Sequence, residues 1–590
     1  MSITSAHSWV KTLFFVFLIS QSSYLWAQKI LPIATPEISG GAATADFKPT
    51  AISQTKPDED LPLVTETSSS IEAINFSQDG VNNGGSLAIP PDPHATAGMS
   101  HLVNVVNKSI EWYTKTGTQQ NSQSLQSFFS AATGTFDPKV IYDSYSNRFV
   151  VVTLETIGRD DMMTGNDVSK IYVAVSKTGD PNDGWWKSSI NALTVISMVN
   201  SWADYPGLAL DEEAIYLTAN MFGFADGAYN GVRLWIVPKG VGSGGIYDGG
   251  ALNESIYDPY SGGGIATTTQ PAHTIGVIPA NVGTYLLGYG GLSNGTNEFV
   301  QCIRINNPLG MMPTFNLSYV DLGDLEDFSI GSFPNAPQMN SDSLISTGDR
   351  RLLNAVYRDG KIALCFTYIG SGSNAGQPTA HWAILDHAGG GSPTLLGQGD
   401  VGGEDIASGT YTFYPSVAMN ASGDLAIGFA ASAPTIFPGA YYTGRNAADP
   451  AGATDAVKTL RAGVDYYERT FGSARNRWGD YTATVVDPQD DQSFWVYNEY
   501  AISRGTATTM PNEDGRWGTA YGKFSIDNPC NNTLDLTGTV TAGTYVANTI
   551  NITGEILSPA MVSLDAMNIN MTEFTVNLGA TLETFTNGCP

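Results

Sequence analysis

The sequence has little cysteine and little charge for its length. Four of its 590 residues are cysteine, and charged residues make up 14%. No CxxC or His-rich spacing typical of a zinc site is present. No GxSxG, HExxH, Walker or dinucleotide-binding fingerprint stands in a strand–turn–helix setting. The chain therefore carries no motif that defines an enzyme class by itself.

Long hydrophobic runs are also rare. The run from Leu13 to Ile19 follows Lys11 and precedes Leu25-Trp26-Ala27, which predicts a signal peptide over residues 1–27 with cleavage before Gln28. No later stretch reaches eighteen apolar residues, so we expect no transmembrane segment in the mature chain. The predicted location is secreted, extracellular or cell-surface, with the periplasm as the alternative.

Basic residues are outnumbered two to one. The chain has 28 Lys and Arg against 56 Asp and Glu, a net charge of −28. This charge repels nucleic acid and anionic lipid, so an extracellular glycan or a surface protein is the expected partner of a monomeric chain. Plain solubility also explains the acidity. The free carboxylates make calcium a cofactor to consider.

Composition and repetition predict an all-β fold. Gly numbers 64, aromatic residues make up 11%, and helix-forming periodic stretches are almost absent. Residues 28–70 look like a flexible leader or linker. Residues 71–528 repeat one multi-strand unit seven times, which favours a seven-bladed β-propeller over a sandwich. Residues 529–590 alternate apolar and polar residues, as in a small C-terminal β-solenoid-like module.

The cysteines divide into two pairs. Cys530 and Cys589 bracket the C-terminal module, and we predict a disulfide between them in an oxidising compartment. Cys302 and Cys365 lie in apolar, strand-like runs. We expect them to be buried thiols, with a bridge between blades as the alternative.

Several strings resemble secreted bacterial proteins of the sialidase-like (BNR or Asp-box) propeller family. They are Pro90 to Gly98, Phe136 to Asp143, Trp202 to Gly207 and Arg477 to Tyr481. Ser176 to Trp186 looks like a stretched Asp-box, in which an Asp accepts backbone N–H bonds above a packed aromatic ring. The segment from Cys530 onward is similar to C-terminal modules of secreted Bacteroidetes proteins. The resemblance implies a sialidase-like β-propeller.

Polar residues recur at the start of the predicted first strand of each blade. In a propeller these positions converge on one mouth of the central channel, a default binding site. The candidate catalytic residues are Asp92, His94, Asp204, Tyr205, Arg477, Asp480 and Tyr481. The candidate substrate-binding residues are Asp137, Lys139, Arg351, Tyr414 and Trp478.

Three chemistries fit this set of residues. A glycoside hydrolase needs two carboxyl groups, which Asp92, Asp137, Asp204 and Asp480 supply. A polysaccharide lyase needs a base and a cation, such as His94 or Tyr481 with Arg477 or Lys139. The acidic cluster also fits calcium. The alternative is a non-catalytic surface propeller that binds glycan or protein, with the Asp residues capping turns, Trp478 and Tyr481 packing, and Arg477 paired with Asp480.

Overall fold

Strands make up nearly all the regular structure, so the all-β prediction is confirmed. The computed structural model describes residues 64–65, 67, 70–159, 166–326, 332–387, 391–470, 475–505, 513–526 and 533–585. The two α-helices in these ranges are short: α1 (Phe76–Asn82) and α2 (Leu125–Phe129). The 3₁₀ turns are Pro181–Asp183, Ile246–Asp248 and Gly372–Asn374.

The strands follow one another closely along the chain. The first fourteen are β1 (Ser70–Asn75), β2 (His94–Ala97), β3 (His101–Val106), β4 (Ser109–Thr114), β5 (Gln119–Ser124), β6 (Phe136–Asp143), β7 (Arg148–Ile157), β8 (Val168–Ser176), β9 (Trp185–Asn191), β10 (Thr194–Ile196), β11 (Val199–Leu210), β12 (Ala214–Gly223), β13 (Tyr229–Pro238) and β14 (Ser255–Tyr257). The next twelve are β15 (Thr269–Pro271), β16 (His273–Ile275), β17 (Val282–Gly288), β18 (Glu298–Asn306), β19 (Thr314–Gly323), β20 (Ala336–Gln338), β21 (Ser341–Ser346), β22 (Leu352–Arg358), β23 (Lys361–Ile369), β24 (Pro378–Asp386), β25 (Thr394–Val401) and β26 (Tyr411–Met419). The last eleven are β27 (Leu425–Ala433), β28 (Ile436–Arg445), β29 (Lys458–Arg461), β30 (Asn476–Arg477), β31 (Ala483–Val486), β32 (Phe494–Ile502), β33 (Arg516–Phe524), β34 (Thr533–Thr539), β35 (Gly543–Ile556), β36 (Met561–Val576) and β37 (Thr581–Phe585).

Seven sheets in the described ranges share one antiparallel plan. Their strand orders are β2-β3-β4-β5, β6-β7-β8-β9, β10-β11-β12-β13-β14, β15-β17-β18-β19, β16-β22-β23-β24-β25, β26-β27-β28-β29 and β1-β33-β32-β31. In the fifth sheet, the added strand β16 pairs parallel with β22. A separate small sheet has the order β20-β21-β30.

The seven sheets lie side by side in a closed order. In each sheet, one strand contacts the corresponding strands of the two neighbouring sheets, and we call it the axial strand. The axial strands are β2, β6, β11, β15, β22, β26 and β31. Each axial strand lies beside the next one along the chain, and β31 lies beside β2. The closing sheet takes its outermost strand from the other end of the chain, because β1 pairs antiparallel with β33. The start of the chain and the end of the ring are thus joined by main-chain hydrogen bonds.

Apolar cores lie between neighbouring sheets. Val103 and Val151 share a cluster between the first two sheets, and Leu102 and Trp495 share one between the first and the last. A strand buried on both faces reads as a continuous apolar run, as in β7, where Val150 to Val152 are fully buried. No sheet could bury both faces alone, so adjacent sheets depend on each other.

The Asp-box-like segment forms the expected turn. Asp180 caps the 3₁₀ turn that starts at Pro181, and its Oδ1 accepts from the N–H of Asn182 at 2.8 Å. The ring of Trp185 packs edge-on against Phe128, with centroids 5.4 Å apart. This segment is structural and lies on outer strands.

The C-terminal strands form a sheet of another kind. Strands β34 to β37 pair in order and parallel, with Thr533 opposite Thr549 and Met561 opposite Thr581. They enclose a core of their own. An exposed ladder runs across them, because Asn551 donates to Asp535 at 2.7 Å and Asn570 donates to Asn551 at 2.8 Å.

Several predicted features lie at or beyond the limits of the described residues. The predicted signal peptide, Cys530 and Cys589 lie outside the described residues. Val64, in the predicted leader, pairs with Ile526. Cys302 and Cys365 are free and buried, as predicted. No helix among the described residues has the length and hydropathy needed to cross a membrane.

Candidate functional site

Four sheets share an unusual backbone conformation beside the start of their axial strand. Asp92, Asp137, Tyr205 and Tyr414 each precede a proline and have φ of 47°, 49°, 51° and 50°. Positive φ is uncommon outside glycine, and strain of this kind is typical of functional sites. The strand register also shifts at Asp137, Tyr205 and Tyr414. Such bulges re-aim side chains.

These turns bring ten predicted residues together, a group we call the central cluster. Its members are Asp92, Asp137, Lys139, Asp204, Tyr205, Arg351, Tyr414, Arg477, Asp480 and Tyr481. They come from six of the seven sheets, from the loops that lead into them, and from β30 of the small sheet, which carries Arg477. Hydrogen bonds, ion pairs and cation–π contacts link nine of them to at least one other member, and Asp204 interacts electrostatically with Asp137 and Arg351.

Asp92 anchors the loop that carries Asp480. Its Oδ1 accepts from the N–H of Asp480 at 2.7 Å, and its Oδ2 accepts from Asn107 Nδ2. The other end of the Asn107 amide, Oδ1, accepts from the N–H of Asp137 at 2.7 Å. Asn107 therefore ties two cluster carboxylates into one frame, and Asp92 itself is buried.

Asp137 is half-buried, and both of its described hydrogen bonds reach one oxygen. Oδ2 accepts from the N–H of Tyr205 at 3.3 Å and from the hydroxyl of Tyr481 at 3.2 Å. The rings of Tyr205 and Tyr481 lie 5.0 Å apart. This arrangement fixes the carboxyl group and leaves Oδ1 to carry a proton.

Asp480 is half-buried and surrounded by donors. The hydroxyl of Tyr414 donates to Oδ1 at 3.1 Å, and the guanidinium of Arg477 lies 3.3 Å from Oδ2. One cation and one phenol therefore hold the carboxyl group of Asp480 in place.

Two cations complete the central cluster. Arg351 binds Asp349 through both Nε and Nη2, at 2.8 and 2.6 Å, and its guanidinium lies 4.3 Å from the ring centre of Tyr205. Lys139 Nζ lies 3.3 Å from the ring centre of Tyr481. These cation–π contacts hold the aromatic rings under the carboxyl groups.

The environment raises the pKa values of three cluster carboxyl groups. Burial, with the charges of Asp204, Asp92 and Asp480, raises the pKa of Asp137 well above its ordinary value. Burial also raises the pKa of Asp204, although Arg159, Arg351 and Arg477 oppose the rise. Burial and the charge of Asp480 raise the pKa of Asp92 to about 7. Like charges confined together keep at least one carboxyl group protonated near neutral pH.

Lys139 is affected in the opposite sense. Burial lowers its pKa to about 7, although Asp137, Asp92 and Asp480 oppose the fall. The central cluster thus holds titrating groups of both signs close to neutral pH. Perturbed groups of this kind gather at functional sites.

His94 and Trp478 lie outside the half-buried part of the site. His94 is buried, and its Nδ1 accepts from the N–H of Val140 at 3.4 Å, which joins the first two axial strands. Burial and the charge of Lys139 lower its pKa well below the ordinary value. Trp478 is 1% exposed and packs edge-on against Tyr467. A sugar ring has no access to its face.

Three residues that lie in the site were not predicted from the sequence. Asn107 follows β3 in a turn, and nothing in its sequence context marks it. Asp349 immediately precedes two arginines, a pattern that indicates an ion pair. Glu499 is buried in β32 and accepts from the N–H of Gly479, and burial with the charges of Asp92 and Asp480 raises its pKa well above the ordinary value.

Calcium remains without a described site. Among the residues the structure describes, no group of three or more His, Cys, Asp or Glu side chains is arranged to hold a metal ion.

Comparison with known proteins gives structural similarity at low identity. No family model and no curated protein sequence matches the chain. A protein of unknown function from Dyadobacter fermentans is 11% identical over 79% of this chain and 100% of that chain, with a TM-score of 0.36. An exo-β-1,3-galactanase from Phanerochaete chrysosporium is 10% identical over 78% and 99%, with a TM-score of 0.28. A Trypanosoma rangeli sialidase is 10% identical over 63% and 56%, with a TM-score of 0.32.

Proposed function

We propose that the seven sheets are the blades of a seven-bladed β-propeller and that the C-terminal parallel sheet is a small β-solenoid-like module. The closed order of the axial strands supports the first part. The parallel pairing of β34 to β37 supports the second. An experimental structure with sevenfold pseudosymmetry about one axis tests the count. Six or eight blades would overturn it.

We infer that the central cluster is the active site of a glycoside hydrolase. The observation that carries this proposal is that Asp137 and Asp480 lie in one cluster, close enough for the charge of Asp480 to act on Asp137. Burial and neighbouring charges raise the pKa of Asp137, and Tyr414 and Arg477 hold the carboxyl group of Asp480. Two carboxyl groups in opposite protonation states are what glycoside hydrolysis requires.

The chemistry follows from these protonation states. The proton of Asp137 passes to the glycosidic oxygen as the bond to the anomeric carbon breaks. The Asp480 carboxylate either attacks that carbon or removes a proton from the water that does. Asp204, half-buried beside Asp137, is placed to accept hydrogen bonds from sugar hydroxyls.

The lyase chemistry fits the site less well. A lyase base must be unprotonated before it acts. Burial and the charge of Asp137 raise the pKa of Tyr481 well above its ordinary value, and His94 accepts a backbone hydrogen bond away from the half-buried carboxyl groups. Tyr481 therefore keeps its proton, and the Nδ1 of His94 is occupied by the N–H of Val140.

Product release from a panel of glycans tests the hydrolase proposal. The panel contains neutral polysaccharides, sialosides and uronic polysaccharides, with new reducing ends and unsaturated products measured separately. We expect new reducing ends, and a loss of roughly 10²- to 10⁴-fold in Asp137→Asn and Asp480→Asn. Asp342→Asn, at an exposed position, is the matched control. Unsaturated products, or full activity in Asp480→Asn, would contradict the assignment.

We also propose that the chain is exported by the predicted signal peptide and acts outside the cytoplasm. N-terminal sequencing of the mature protein from its native host tests this. Cleavage before Gln28 is the expected result, and an intact Met1 in the mature protein would contradict it.

A further inference from the structure

Tyr229 presents a partly open aromatic ring at the protein surface. The sequence contains 24 Phe, 11 Trp and 27 Tyr. Among the residues that the structure describes, Tyr229 is the most exposed aromatic side chain, at 38%. Covering an aromatic ring contributes strongly to stability. A partly open tyrosine ring offers a face on which a sugar ring can stack, and Tyr is enriched at interfaces for this reason.

Tyr229 lies on the third sheet, at the same end of that sheet as Asp204 of the central cluster. It begins β13 and pairs with Phe222 of β12, whose ring centre is 5.6 Å away. Phe222 in turn pairs with Trp202, which lies two residues before Asp204 on β11. The three aromatic rings thus form a row that leads from Asp204 outward to Tyr229.

Arg351 connects Tyr229 to the central cluster. Its guanidinium rests on the ring of Tyr205. Burial raises the pKa of Tyr229, the charge of Tyr260 adds to the rise, and the positive charge of Arg351 opposes it. Tyr229 therefore lies within range of the charge of Arg351, while part of its side chain is open to solvent.

Two arginines of the central cluster, and the neighbouring Arg350, are already paired with carboxylates. Arg351 binds Asp349 with two hydrogen bonds, Arg477 lies on Asp480, and Arg350 lies 2.6 Å from Glu326. An anionic sugar would meet engaged guanidinium groups. It would also add negative charge beside Asp137 and Asp204, whose pKa values are already raised. A neutral glycan avoids both costs.

We propose that the site binds a neutral glycan chain, with one sugar ring stacked on Tyr229 and the adjoining linkage at the carboxyl groups of the central cluster. The proposal rests on the proposed function for the position of the cleaved bond. The stacking on Tyr229 requires only that the chain bind glycan.

Titration calorimetry with defined oligosaccharides tests the proposal. The neutral probes are xylotetraose, cellotetraose, mannotetraose and galactotetraose, and the anionic probes are sialyllactose and tetragalacturonic acid. We expect at least one neutral probe to bind more tightly than both anionic ones. Tyr229→Ala should weaken that binding by about fivefold to tenfold, the usual value of one aromatic contact, and Tyr229→Trp should restore it.

A control on the same sheet separates stacking from loss of fold. Tyr257 lies on the outermost strand β14 and packs against Phe315, so Tyr257→Ala should leave the affinity unchanged. Equal affinity in Tyr229→Ala, tighter binding of an anionic probe, or no binding of any probe would overturn the proposal. Tyr229-dependent binding without product release would reject the hydrolase and retain the glycan site.

Discussion

The backbone N–H of Asp480 donates to Oδ1 of Asp92 at 2.7 Å, although 388 positions separate the two residues along the chain. Asp92 also accepts from Asn107, which fixes Asp137. The buried carboxylate of Asp92 thus sets the distance between the two carboxyl groups assigned to catalysis. Its role is positioning, since it does not face the half-buried part of the site.

Asp92→Ala should lower both stability and activity. It leaves a buried N–H of Asp480 and an amide of Asn107 without an acceptor, which costs roughly 1 to 3 kcal/mol each. A double-mutant cycle with Asn107→Ala, followed by urea unfolding, checks the link. We expect a coupling energy above about 0.5 kcal/mol. Strictly additive losses would show that the two side chains act independently.

Lys139→Met should move the alkaline limb of the pH–rate profile to higher pH. The charge of Lys139 favours the ionised form of Asp92, and the charge of Asp137 acts in return on Lys139. Without this cation the acid keeps its proton to higher pH, and activity is lost only as pH rises through the higher pKa.

The expected displacement is about one pH unit. Measuring kcat/KM from pH 4 to pH 9 checks it, with Lys361→Met as the control at the far end of its sheet. A limb that stays in place, or moves to lower pH, would show that Lys139 does not set the charge balance of the central cluster.

Gly479→Ala should be strongly destabilising. A Cβ at this position would lie 2.6 Å from Pro93 Cδ and 3.0 Å from Glu499 Oε1. Relieving that overlap means moving the loop of Asp480 away from Asp92, at a cost of roughly 1 to 3 kcal/mol. Gly134→Ala, whose Cβ would meet nothing within 4 Å, is the matched control. The thermal unfolding midpoint of Gly479→Ala should lie clearly below that of Gly134→Ala. Equal midpoints would contradict the close packing of Gly479 against Pro93 and Glu499.

Removing β1 should open the ring. Residues 70–75 cover the edge of β33, and an uncovered edge strand promotes aggregation. We expect a chain that starts at Phe76 to unfold at lower temperature and to associate. A chain that lacks only residues 28–60 should behave like the full mature protein. Light scattering and thermal unfolding check both, and a fully stable monomer without β1 would contradict the closing role.

Asp79→Asn should stabilise the protein at neutral pH but not at acid pH. Burial raises the pKa of Asp79 to about 6, so the folded state holds this proton more tightly than the unfolded state. Wild-type stability therefore falls as pH rises from about 4 through 6, by roughly 1 to 3 kcal/mol. Asparagine retains the Oδ1 that accepts from Ser109 and Asn83.

Thermal unfolding at several pH values from 4 to 8 measures this difference. The variant and the wild type should coincide near pH 4 and separate above pH 6. Asp342→Asn, at an exposed position, should run parallel to the wild type throughout. Equal midpoints for Asp79→Asn and wild type at pH 8 would show that ionisation of Asp79 does not destabilise the folded protein.

The strands were accessible to prediction because burial on two faces leaves a visible pattern. The apolar run Arg148 to Leu154 lies within β7, and Lys361 to Tyr368 lies within β23. The prolines after Asp92, Asp137, Tyr205 and Tyr414 mark the strand starts. These signals are local, and local signals survive in a single sequence.

The direction of each side chain at those starts was not accessible. A bulge turns consecutive residues to different faces, so Asp92 is tied to the loop of Asp480 while His94 is turned between two strands. The pairing of β1 with β33 also left no signal, because Ser70 to Asn75 is short and half polar. Asn107 acts through its side-chain amide, and asparagine is too common in turns for its presence to indicate a functional position.

The pairing of β1 with β33 also determines when folding can be completed. Ser70 lies opposite Gly522, so the first strand that the structure describes can pair only after the last strand of the seven sheets has been made. Until then the core between the first and the last sheet stays incomplete. The closing sheet is therefore the last of the seven to be completed during synthesis.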